Sequence, residues 1–161
     1  MRDYTIRASG LAGAARGALC AALDTFTPIS GLTPDHCPDI PGIDLCGPFP
    51  GLRHRSGTTG DMAAAWNITH ADMALIITDR PKGRHALALA RLAEQAGVPH
   101  AVGGPENIGR AGRRLLDGFV HGGRRIIIAV EGDGEIKRMH ARSAAAVIRL
   151  LAHPLPRREG K

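Results

Sequence analysis

Apolar positions along this chain alternate between the two-residue period of strands and the 3.6-residue period of helices. Tyr4 to Ala8 predicts a first strand, and Ser9-Gly10-Leu11-Ala12-Gly13 a tight turn. Ala14 to Asp24 follows as a helix with Leu19, Ala22 and Leu23 on one face. Pro28 to Leu32 predicts a second short strand. Thr33 to Arg55 carries five prolines and reads mostly as loop, with room for a brief strand at Ile43 to Cys46. Thr58 to His70 predicts a helix capped by Thr58 or Thr59. The apolar run Met73 to Thr78 is a strand. Arg84 to Ala96 is an amphipathic helix through Leu87, Leu89, Ala90, Leu92 and Ala93, stopped by Gly97. Val98 to Val102 is a strand, broken by Gly103-Gly104-Pro105. Gly109 to Val120 predicts a helix with Leu115, Leu116 and Phe119 inward. Arg124 to Val130 is the strongest strand signal. Gly132-Asp133-Gly134 is a turn, and Ile136 to Leu151 the last helix.

This order predicts the α/β class: a doubly wound, mostly parallel, Rossmann-like sheet of about five strands with helices on both faces. One domain is expected over residues 1–152, with 153–161 as a frayed basic tail. Only five residues are aromatic, so the core must come from Ala, Val, Ile and Leu, which suits a covered parallel sheet. No apolar run approaches the ~20 residues of a membrane span. The start, MRDYTIRASG, lacks the basic-then-apolar pattern of a signal peptide. Cys20, Cys37 and Cys46 form no CxxC pair, so a disulfide framework is not expected. These features predict a cytoplasmic protein without a membrane partner.

The net charge is +6, unevenly spread. Residues 1–80 hold six Lys/Arg against eight Asp/Glu, and the remainder fifteen against seven. A basic half can serve a polyanion. Eighteen of the basic residues are Arg in an Ala- and Gly-rich chain, a bias of composition as much as of function. No aromatic residues interleave with them for base stacking, so nucleic acid is not the expected partner.

The stretch Ala65 to Ala96 places a strand, a basic glycine-containing loop and a helix in succession. That geometry presents unpaired N–H groups and the positive helix end to an anion. Lys82, Gly83, Arg84 and His85 supply the charge and the close approach. Gly10 and Gly13 do the same, more weakly, after the first strand. Trp66 reads as core and Asn67 as a helix-end cap or a ligand contact. His36, Cys37, Cys46, His54 and His70 match no metal-ligand spacing, so no metal site is expected. Cys37, beside His36, is the best candidate for a reactive thiol. Asp35, Asp39, Glu131, Asp133 and Glu135 fall on loops where a carboxylate pair could do acid/base work. No complete catalytic set is apparent. The alanine-rich stretches Met62 to Ala65 and Ala141 to Val147 allow close helix packing between subunits, so a homo-oligomer is expected.

Trp66-Asn67-Ile68, Ala71-Asp72 and Leu75-Ile76-Ile77-Thr78, followed by Gly83 and Ala86-Leu87, resemble the molybdenum cofactor carrier family. That group is Rossmann-like and related to the LOG-type nucleotide-binding proteins. The family reads WNV, then a step ending Asp-Ala, a strand TLIL-T and a Gly-Gly-Thr turn. Its first turn, SGGQTG, aligns with Ser9 to Gly13. This chain is a divergent member of the resemblance. Leu11, Ala12 and Ala15 stand where the family carries Gln, Thr and Asp. Leu32 to Cys37, with Asp35, replaces a Trp-Cys-Pro-Lys-Gly-Arg run. Ala129 to Glu135 replaces an NVAGP-Arg-Glu-Ser loop. The resemblance implies a non-enzymatic carrier for a small anionic ligand, the molybdenum cofactor or a nucleotide. Its binding roles map to Gly10, Gly13, Asn67 and Gly83. Two alternatives stay open: a nucleotide or nucleoside N-glycoside hydrolase of LOG type, and a degenerate member with a structural or assembly role. The LOG-type PGGxGT-x-x-E signature is only echoed by Gly103-Gly104-Pro105-Glu106.

Overall fold

In the computed structural model, which describes residues 3–119 and 124–155, strands and helices alternate nearly as predicted. The elements are β1 (Tyr4–Arg7), α1 (Ala14–Asp24), β2 (Ile29–Thr33), β3 (Leu52–His54), α2 (Gly60–Thr69) and β4 (Met73–Ile77). They continue as α3 (Arg84–Gln95), β5 (His100–Gly103), α4 (Pro105–Asp117), β6 (Ile126–Gly132) and α5 (Met139–Leu151). All six strands join one sheet in the order β3-β2-β1-β6-β4-β5, and every pairing is parallel.

Strand β4 is buried on both faces of the sheet, which explains why it has no alternation in its sequence. Leu75 and Ile77 join Ile6, Leu19, Ile128, Val130, Leu116 and Leu150 under α1, α4 and α5. Ala74 and Ile76 join Ile68, Leu89, Ala93 and Ala129 under α2 and α3. The first layer is the tighter. At Gly17 of α1 a Cβ would lie 2.4 Å from the His140 carbonyl oxygen of α5, so only glycine permits this helix crossing.

Three larger differences from the predicted elements have physical causes. The sixth strand, β3, lies inside the long loop, and Ile43 to Cys46 forms no strand. With three residues, two of them exposed, β3 carries no readable period. Helix α4 starts at Pro105, because proline suits the first helical position, where no N–H is needed. Helix α5 starts three residues late, because Lys137 and Arg138 are left-handed, with φ of 50° and 59°. Thr59 is the α2 cap, its side chain accepting from the Met62 N–H at 3.2 Å.

The Tyr4 hydroxyl donates to the His153 carbonyl at 2.5 Å and Leu155 is buried, so the start of the expected tail is tied down. Residues 156–161, and the Val120 end of α4's predicted span, lie outside the described residues. Among the described residues no helix is long and apolar enough to cross a membrane.

Candidate functional site

Because every strand is parallel, the carboxyl ends of all six line one edge of the sheet. Ligands of doubly wound sheets bind at this edge, where strand order reverses. Here β6 is inserted at the reversal, between β1 and β4. The loops after these three strands decide what the edge can hold.

After β1, the turn is already occupied by the protein itself. The Ser9 N–H donates to Glu131 Oε1 at 2.7 Å, and the Ser9 hydroxyl to Oε2 at 2.7 Å. The Asn67 side-chain amide donates to Oε1 at 3.1 Å and to the Leu32 carbonyl at 3.0 Å. Its oxygen accepts the Leu32 N–H at 2.8 Å. Ser9, Asn67 and Glu131 are all buried. Burial pushes the Glu131 carboxyl up to about 7, against the hydrogen bonds from Ser9 and Asn67 that favour its charge. An internal carboxylate thus takes the N–H that the turn would offer an external anion.

The glycines of that turn serve packing. Gly13 has φ of 92°, and a Cβ there would sit 2.3 Å from the Asp133 carbonyl oxygen. The Ala14 N–H donates to that same oxygen at 3.0 Å, so the loop after β6 caps α1. A Cβ on Gly10 would meet the buried Leu45 side chain at 2.9 Å. Leu45 belongs to the long loop, whose apolar residues cover the turn.

After β4 the edge opens. A cleft of about 300 Å³ lies between residues 79–86 and residues 133–137. Its floor is fixed by the Asp79 N–H donating to Asp133 Oδ2 at 3.0 Å and the Arg80 N–H to Thr78 Oγ1 at 2.9 Å. Gly83 is the extended N-cap of α3, and no side chain caps that end. Its first-turn N–H groups therefore need an outside acceptor. Arg80, Arg84 and His85 line one wall and Lys137 the other. His85 Nε2–H donates to the Gly132 carbonyl at 3.2 Å, which links the walls.

The acids of the cleft are engaged. Arg142 grips Asp79 through two hydrogen bonds of 2.9 Å and also holds Glu106, which keeps the Asp79 carboxyl below the usual range. Among the described residues, no carboxylate pairs with Arg80 or Arg84. Lys137 at the rim is held left-handed, a conformation that is strained for a side chain of its size.

The structure therefore brings Gly83, Arg84 and His85 together in one cleft, with Lys82 exposed on the adjoining turn. It sets Gly10, Gly13 and Asn67 apart from them, behind the loop after β6. The other candidates disperse. His70 stacks on Trp66 with ring centroids 4.4 Å apart. His54 pairs with Asp35 at 2.7 Å, Asp39 with Arg16, and Glu135 accepts the His140 N–H at 3.1 Å. Each of the five candidate carboxylates, Asp35, Asp39, Glu131, Asp133 and Glu135, thus has a partner within the protein. Among the described residues no group of three His, Cys, Asp or Glu side chains is placed to hold a metal ion. Cys37 is buried, and that burial pushes its thiol up despite Arg16, the opposite of an activated thiolate. The alanines at 63, 64 and 146 are buried within the chain's own core.

The fold has a solved counterpart. The chain aligns with the crystal structure of a "putative molybdenum carrier protein" from Syntrophus aciditrophicus SB, over 94% of this chain and 96% of that one. The TM-score is 0.70 and the sequence identity 17%, a likeness of fold. No protein-family model and no curated protein matches the sequence.

Lys137 and Arg142 were not singled out from the sequence, and Arg80, the first residue of the basic loop, was not among the expected contacts. The Ser9–Glu131 contact spans 122 residues and leaves no local signal.

Proposed function

We propose that the protein is a non-enzymatic carrier of a small anionic or nucleotide-like ligand, bound in the cleft at the α3 N-terminus. One observation carries this reading. An uncapped helix end and three cations, Arg80, Arg84 and Lys137, face a single cleft at the carboxyl edge of the central strands. Helix N–H groups and guanidinium forks are complementary to phosphate and to oxyanions such as molybdate. In this reading Gly83, Arg84 and His85 contact the ligand and Lys82 adds field at the rim. Gly10, Gly13 and Asn67 hold the neighbouring turn. The fold likeness to a protein described as a molybdenum carrier supports an oxyanion or a pterin phosphate as cargo. The cleft offers anion recognition and no thiolate or imidazole ligand set, which fits cargo held by its oxygen atoms.

Isothermal titration calorimetry with molybdate and with nucleoside monophosphates tests the reading on wild type and Arg84→Ala. Loss of one charge-assisted hydrogen bond predicts an affinity roughly tenfold to a hundredfold weaker. The empty fold stays as stable or gains slightly, because a cation at a helix N-terminus is disfavoured by ~0.3–1 kcal/mol. Equal affinities would place the ligand elsewhere. Release of free base from a nucleotide would replace this reading with the hydrolase.

The internal carboxylate after β1 favours a second reading, a member whose ancestral cradle has become structural and whose role lies in assembly. Exposed apolar side chains at Leu23, Phe26 and Ile148 support a homo-oligomer. Light scattering at micromolar concentration tests it, and a monomeric mass would count against it. A cytoplasmic location goes with either reading.

A further inference from the structure

A second cationic cleft lies on the sheet face beside α2. In the strand register Arg7 pairs with Ser30 and Leu32 with Arg53. Residues two apart on a strand share a face, so Arg7, Ser30, Leu32 and Arg53 form a row across β1, β2 and β3. Helix α2 packs on β2 and β6, and α3 on β4, β5 and β6. Between α2 and the outer strands a cleft of about 640 Å³ remains, walled by Trp66 and by residues 51–55, with Arg55 at its rim.

The cleft is positively charged and partly built. Arg7 Nε donates to the Ser30 hydroxyl at 3.1 Å, and its Nη1 donates to the His70 carbonyl. Its guanidinium carbon lies 5.1 Å from the Trp66 ring centroid, and Trp66 stacks on His70. Three contacts, one from β2 and two from α2 and its C-cap, thus hold this guanidinium before any ligand arrives. Burial and the neighbouring Arg53 oppose its charge, while Asp72 supports it. Asp72 is itself gripped by Arg124 through bonds of 2.7 and 2.8 Å. Among the described residues no carboxylate pairs with Arg7, Arg53 or Arg55. Like charges gathered with one shared carboxylate nearby, Asp72, mark a place for an anion.

We propose that this cleft is a second binding site, for a small phosphate monoester gripped by Arg7, Arg53 and Arg55. Several guanidinium forks suit a tetrahedral dianion better than a carboxylate, which a single fork satisfies. The volume is that of a small-molecule site. A nucleic-acid strand would lack its stacking platform, because the Trp66 ring is engaged by His70 and Arg7. A second copy of this chain would bring two arginine-lined faces of a +6 protein together. The site does not depend on the α3 cleft.

Arginine Nε–H signals of the full chain, followed by NMR during titration with inorganic phosphate against chloride at matched ionic strength, test the proposal. Phosphate should give saturable shifts at Arg7, Arg53 and Arg55. Arg53→Ala should weaken the apparent affinity at this cleft about tenfold or more. Arg53→Gln, which keeps the stem packing, should do likewise, and Arg84→Ala should change nothing here. Shifts that follow ionic strength alone, or that survive both Arg53 variants, would overturn the proposal. So would shifts confined to Arg80 and Arg84, which would leave the α3 reading standing. A twenty-nucleotide single strand that binds more tightly than phosphate, with steep loss in salt, would overturn it in favour of nucleic acid. Saturable shifts at Arg7 and Arg53 with none at Arg84 would count against the α3 cleft alone.

Discussion

Replacing Glu131 by Gln should make the protein more stable at pH 8 and nearly unchanged at pH 5. The substitution preserves every hydrogen bond of the buried group. Glutamine's oxygen accepts from the Ser9 N–H and the Asn67 amide, and its NH2 donates to the Ser9 hydroxyl. What it removes is the buried charge. The Glu131 carboxyl rises from 4.5 to about 7 because desolvation outweighs three hydrogen bonds. Between these values the folded protein holds a proton that the unfolded chain has lost. Stability therefore falls as pH rises through this window, by up to ~1.4 kcal/mol per unit. The loss accumulates to about 3 kcal/mol above pH 7 and is absent below pH 4.5. Urea unfolding of wild type and Glu131→Gln from pH 5 to 8 measures the difference directly, with m unchanged. The variant's advantage should grow from near zero to about 3 kcal/mol. If the hydrogen bonds outweighed burial, the sign would reverse: the variant would be the less stable at pH 8, the wild type would not gain stability on acidification from 8 to 5, and it would lose stability only below its unfolded value of 4.5. That result would refute the reasoning.

Asn67→Ala should cost roughly 2–4 kcal/mol in chemical denaturation, because it strands the buried Leu32 N–H and one Glu131 acceptor. A loss under 1 kcal/mol would mean that water replaces the amide. Gly13→Ala should cost more than about 2 kcal/mol, since the added carbon meets the Asp133 carbonyl oxygen at 2.3 Å and φ is 92°. Thermal unfolding shows this as a fall in Tm of at least roughly 4 °C. A tolerated alanine would mean that the loop after β6 gives way easily.

The parts of the fold legible in the sequence were those with strong periods and clear stops. The central strands β4 and β6 stand out because burial on both faces demands unbroken apolar runs. Helix α3 stands out through its stripe of Leu and Ala and the terminating Gly97. Strand β3 was invisible because an edge strand of three residues with two exposed side chains has nothing to repeat. The basic turn at residues 82–85 was legible as a candidate site because its charge and glycine are contiguous in sequence. Its opposite wall was not, because Lys137 reaches the cleft only through two left-handed residues and a crossover from β6. The Arg7–Arg53–Arg55 cleft escaped for the same reason. Its residues are scattered over 48 positions, and strand register alone makes them neighbours.

Glu131 also supplies, from within the chain, the acceptor for the turn that Leu11, Ala12 and Ala15 border. A turn of this kind can hold an outside anion through its backbone N–H groups. Here an internal carboxylate arrives from β6, buried and satisfied by Ser9 and Asn67. Leu45 then packs where Gly10 approaches, and the backbone of residues 133–134 closes on Gly13. Once closed, the first turn can no longer share a ligand with the α3 end. The two lie on the same edge of the sheet, but the loop that seals one forms a wall of the other. Asp133 joins them directly: its carbonyl caps α1 through Ala14, and its carboxylate anchors Asp79 at the cleft floor. A ligand at the α3 cleft should therefore be sensitive to what happens at the buried turn without ever touching it.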